Sequence, residues 1–168
     1  VTPAEYVEVV VMPTVREFMQ KPGDRRLAYL SAIAAFHISD YLLRAGPPAT
    51  KPEAELKRIR DVLRSDLNHW YDAVDGVANG TKHCGRDHGV PFKPDDEEYV
   101  PAFAADEEGS GADQGRWDGP GLLVTVGDER VFVDNALGYF LLACARHFPD
   151  RIPSIQPSDW DPKLRSAS

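Results

Sequence analysis

The chain has 168 residues, 42% of them hydrophobic, with a formal net charge of −8 and a pI near 5.1. One domain of this size buries a core without disulfides or metal, and two cysteines are too few for a disulfide framework. The acidity opposes non-specific attraction to phosphate backbones, so a nucleic-acid role would have to rest on a local patch.

No secretory leader and no long apolar run stands out, so no membrane association and a reducing, cytoplasmic setting are expected. The chain starts at Val1 rather than Met, which leaves room for an upstream segment. Thr2-Pro3-Ala4-Glu5 reads as a capping box with proline at the first helical position. Val7, Val11, Val15 and Phe18 continue at helical spacing, although Pro13 should kink this helix and Val9, Val10 and Val11 favour strands in isolation. Asp24 caps a second helix expected to run unbroken to about Arg44. Ala28, Ser31, Ala32, Ala35 and Ser39 form a small-residue side of it that lets a neighbouring helix come close. Leu30, Ile33, His37 and Tyr41 form another side, and together the two predict burial nearly all round.

Leu56, Ile59, Leu63, Leu67, Trp70, Val74 and Val77 then repeat at intervals of three and four, with a break predicted near 64–68. Residues 85–118 have no sustained period and read as a long surface loop with a short strand near 99–103. Residues 122–133 give a hairpin signal around Gly127-Asp128. Asp134 is placed to cap a last helix with Leu137, Leu141, Cys144 and Phe148 as its core stripe. The expected architecture is a mainly α, up-and-down bundle of four or five helices with a small β-hairpin before the C-terminal helix. Residues 1–150 are expected to form the single domain, and 151–168 a tail that lies on its surface or is disordered.

Two places bring titratable side chains beside the predicted core. On the later helix His69, Asp72, Asn79 and His83 fall within about 80° of arc, opposite Trp70, Val74 and Val77. A solvated face of an amphipathic helix gives the same pattern. On the earlier helix His37 lies at the core margin with Asp40 and Arg44 one and two turns on, where a satisfied structural histidine is the more common outcome. Lys51, Lys57, Arg58, Arg60 and Arg64 concentrate the positive charge, which reads first as a solvated basic helix face. His83, Cys84 and His88 lie close together but match no strong zinc pattern, so no metal and no cofactor is expected.

His37 with Asp40 on one helix, followed by Asp75-Gly76-Val77-Ala78-Asn79-Gly80-Thr81-Lys82-His83 on a later one, resembles a group of uncharacterised bacterial helical proteins. These are distantly related to the HEPN (higher eukaryotes and prokaryotes nucleotide-binding) domains. The resemblance covers residues 2 to 84 best. It implies a helical module, expected as a homodimer, that binds a protein partner or a nucleotide-type ligand or RNA. His37, Asp40, Asn79, Lys82 and His83 would be its ligand-binding residues. Catalytic HEPN domains carry Arg, four to six residues, then His, and cleave RNA without metal. Arg64-Ser65-Asp66-Leu67-Asn68-His69 has that spacing, but about one such match is expected by chance in this composition. No arginine precedes His83 at the place where the resemblance is stronger. The leading expectation is therefore a module without robust catalysis. The alternative is a metal-independent ribonuclease of toxin or defence type, using Arg64 with His69 or His83.

Overall fold

The computed structural model describes residues 1–47, 50–83, 97–100 and 121–160. Thr2 and Glu5 close the expected capping box, with Glu5 N donating to Thr2 Oγ1 at 3.1 Å and Thr2 N to Glu5 Oε2 at 2.7 Å. Helix α1 (Pro3–Tyr6) runs through a π turn (Val7–Val11) into α2 (Met12–Gln20). The expected kink at Pro13 takes this form. A proline cannot donate to the carbonyl four residues back, and the wider turn accommodates it, with Met12 N donating to Val7 O. The Thr14 hydroxyl takes up the Val10 carbonyl at 2.6 Å. The local strand preference of the valines is overridden by packing, because Val7, Val11, Val15 and Phe18 are all fully buried.

Asp24 caps α3 (Arg25–Phe36), its carboxylate accepting from Leu27 N at 3.0 Å. The second helix is not continuous as expected: it is interrupted at His37 and resumes as α4 (Ile38–Ala45). The Ser39 hydroxyl donates to the Phe36 carbonyl at 3.0 Å, supplying a side-chain partner where the backbone ladder is broken. The small-residue side behaves as expected: Ala28, Ser31, Ala32 and Ala35 are buried on α3, which packs against α2 and α6, and Ser39 is buried on α4. The other side is more open than its composition suggested: Leu30 is 44% exposed, and Ile33, His37 and Tyr41 are only partly covered.

The long periodic stretch is two helices, α5 (Pro52–Leu67) and α6 (His69–His83). They are separated at Asn68, whose φ of 49° and ψ of −120° end α5. β2 (Gly121–Val126) and β3 (Glu129–Phe132) form the hairpin, in register Val126 opposite Glu129, with Gly127 at φ 61° in the turn. β1 (Glu97–Val100) adds antiparallel to β2, slightly earlier than the strand expected near 99–103. The rest of the 85–118 loop lies outside the described residues. The sheet rests on α6 and on α7 (Val133–His147), whose Leu137, Leu141 and Cys144 are fully buried and Phe148 partly so. Phe132, not Asp134, is the N-cap of α7, and Asp134 sits in its first turn.

The segment after Phe148 corrects a further expectation. It does not lie on the surface throughout: Ile152, Ile155 and Trp160 are buried in the main core, with a 3-10 turn (Pro157–Asp159) between the last two. Three large apolar groups outweigh the turn-forming prolines around them. Among the described residues no helix is long and apolar enough to cross a membrane.

Candidate functional site

The break at His37 turns the end of α3 and the start of α4 toward one face of α5. Arg60 reaches across from α5: its guanidinium carbon lies 4.5 Å from the centre of the Phe36 ring. Its Nε donates to Ser39 Oγ at 3.2 Å and its Nη2 meets Asp40 Oδ1 at 3.4 Å. The other oxygen of Asp40 is 2.6 Å from His37 Nδ1, so this carboxylate joins the imidazole to the guanidinium.

One helical turn further along α5 the arrangement repeats toward α6. The Arg64 guanidinium carbon lies 4.8 Å from the centre of the Tyr71 ring. Its Nε donates to Asp72 at 3.0 Å and its Nη2 to Asp75 at 3.1 Å. Asp75 is almost fully buried, and Asn79 Nδ2 donates both to its carboxylate and to its carbonyl, the latter at 3.1 Å. Burial raises the Tyr71 phenol well above its ordinary pKa, Asp75 adding to the effect and Arg60 and Arg64 opposing it. Tyr71 is therefore a neutral ring under a cation across the physiological range.

Both guanidinium groups line a single groove of about 380 Å³, together with Phe36 and Tyr71, the cation Lys57 and the carboxylates of Glu53, Asp61 and Asp75. Among the described residues, Nη1 of Arg60 and Nη1 of Arg64 have no hydrogen-bond partner. The groove can therefore offer a ligand two planar cationic faces and additional N–H donors, held by side chains that are already fixed.

Of the residues expected from sequence, His37 and Asp40 come together beside this groove, and Asn79 reaches it through Asp75. Arg64 lines it. The His69 ring lies 4.6 Å from that of its chain neighbour Trp70, which in turn lies 4.9 Å from Tyr139 on α7. No described hydrogen bond or ring contact joins His69 to Arg64. The α6 backbone is placed through His83, but the side chains of Lys82 and His83, like Cys84 and His88, fall outside the described residues. No group of three His, Cys, Asp or Glu able to hold a metal ion occurs among the described residues.

The sequence reading missed Arg60, Phe36 and Tyr71 as parts of one site. A signal was present: Arg60 and Arg64 on α5, and Tyr71 and Asp75 on α6, are both four-residue spacings that put paired groups on one helix face. Comparison with family models, curated proteins and solved structures finds no match to the chain.

Proposed function

We propose that the protein is a binding module without robust catalysis, and that its ligand is a small anionic molecule of nucleotide type held in the α5–α6 groove. The observation that carries this reading is the pair of guanidinium planes, each laid on an aromatic ring and fixed by carboxylates, with Nη1 donors left for a ligand. A nucleobase stacks on a guanidinium plane, and a phosphate accepts from the remaining donors. The net charge of −8 opposes a long phosphate backbone as the ligand. The HEPN-like resemblance of the His37 and Asn79 segments supports the same ligand class and a homodimeric assembly.

The binding reading is preferred over the ribonuclease that would use Arg64 with His69 or His83. Arg64 is engaged by two carboxylates, and among the described residues no hydrogen bond or ring contact joins it to His69, whose ring packs on its neighbour Trp70. A cleaving pair would need both side chains at one scissile phosphate.

Calorimetric titration with ADP tests the proposal. Saturable binding is expected, weakened about tenfold or more by Arg60→Ala and by Arg64→Ala, the size of a lost charge-assisted hydrogen bond. Absence of binding to ADP, AMP and GMP alike, or binding that both variants leave intact, contradicts it. Ribonuclease activity abolished by His69→Ala would favour the alternative.

A further inference from the structure

A second cavity, of about 230 Å³, opens between the end of α2, helix α7 and the C-terminal segment. Met19, Leu142 and Pro157 give it apolar walls, Tyr139 and Trp160 give it two aromatic rings, and Asp134 gives it a carboxylate. None of these residues belongs to the α5–α6 groove.

The Trp160 wall is built rather than incidental. The indole packs closely on α7 at Gly138, where even a Cβ would lie at van der Waals distance from the ring, 3.4 Å. The turn before Trp160 is tied down by Arg16 Nε donating to the Asp159 carbonyl at 2.6 Å and by Gln156 N donating to the Asp159 carboxylate at 2.7 Å. Trp160 is consequently buried, whereas Tyr139 is 50% exposed and stands at the mouth.

The lining decides the ligand chemistry. It contains no Lys, Arg or His, and Asp134 is its one acidic side chain. Aromatic faces and a carboxylate both attract positive charge, and apolar walls accept alkyl groups. The volume is below the roughly 300–1,000 Å³ of sites for drug-sized ligands, so the fitting group is the size of a head group.

We propose that this cavity binds a small organic cation of the alkylammonium type, with the ammonium group between Tyr139, Trp160 and Asp134 and its alkyl groups against Met19 and Leu142. The site is independent of the nucleotide-type ligand proposed for the groove, and either can fail without the other.

The test is a nuclear magnetic resonance titration of the full chain with choline, and in parallel with 3,3-dimethylbutan-1-ol, its uncharged carbon isostere. Choline is expected to shift the Trp160 indole N–H and the Tyr139 amide saturably, with the alcohol at least about tenfold weaker. Tyr139→Ala, a change at a half-exposed position, and Asp134→Asn should each weaken choline binding by about three- to thirtyfold. A trimethyllysine peptide serves as a further probe. Tighter binding than choline assigns the cation to a protein tail, and equal or weaker binding to a free small molecule. The proposal is overturned if choline leaves Trp160 and Tyr139 unmoved, if the alcohol binds as well as choline, or if both variants bind choline like the wild type.

Discussion

Arg60 and Arg64 differ from the other cations of α5 in what lies beneath them. Lys57 and Arg58 pair with Asp61 and Glu55 on their own helix, with side chains 75% and 63% exposed, and such pairs contribute little. Arg60 and Arg64 rest on rings supplied by other helices. In the sequence all four belong to one basic run, and nothing local separates them. The distinction depends on Phe36, far from Arg60 in sequence, on Tyr71 beyond the α5–α6 junction, and on the break at His37 beside Asp40 and Ser39. Another long-range cluster ties α5 to α7: Asp66 accepts from His147 Nε2 at 2.9 Å and from Arg146. Burial pushes the Asp66 carboxyl up, but the hydrogen bonds from His147 and Arg146 outweigh it and hold the group below its ordinary value. A carboxyl depressed in the folded state stabilises above its unfolded pKa, and that contribution fades as pH falls through the folded one. Urea denaturation at pH 7, 4 and 3 is therefore expected to show Asp66→Asn less stable than wild type at pH 7, by up to about 1 kcal/mol for so exposed a cluster. The difference should shrink toward pH 3. A gap that stays constant across this range would mean that the ion cluster is not its source.

At the scale of elements, starts and stops with a local chemical cause could be read in advance. The Thr2 and Asp24 caps, the Gly127 turn and the division near residue 68 each follow from side chains within a few positions. The break at His37 could not, because the run from Arg25 to Ala45 has no proline or glycine. It is defined by the Ser39 hydroxyl and by packing against α5. The π turn also lay hidden, since Pro13 announces a perturbed ladder without saying whether the helix bends or widens. Asn68 is the one non-glycine residue among those described with positive φ, in a region that side chains seldom adopt. Asn68→Gly is expected to raise unfolding stability by up to about 1 kcal/mol, and Asn68→Val to lower it by about 1–3 kcal/mol. Thermal and urea denaturation of the two variants measures this. Equal stability of both would show that the α5–α6 junction is not strained.

For the whole molecule, the stripes of all the long helices were legible, so the mainly α class with a hairpin before the last helix followed from periodicity. The domain boundary did not. Ile152, Ile155 and Trp160 are spaced too irregularly, among prolines, to form a pattern, and their burial depends on the tertiary core they join. Removing residues 151–168 is expected to cost more than about 3 kcal/mol, because it strips three buried apolar side chains and uncovers Gly138. A truncated chain as stable as the full one in urea would return the segment to the status of a tail.

The central claim, that the groove between α5 and its aromatic floor is the ligand site, is tested most directly by the arginine Nε–H resonances. On titration with ADP the Arg60 and Arg64 signals are expected to shift together and saturate at one ligand per chain. If they stay in place while ADP moves resonances elsewhere, or if ADP moves none, the groove is a structural ion-pair network and the claim is wrong.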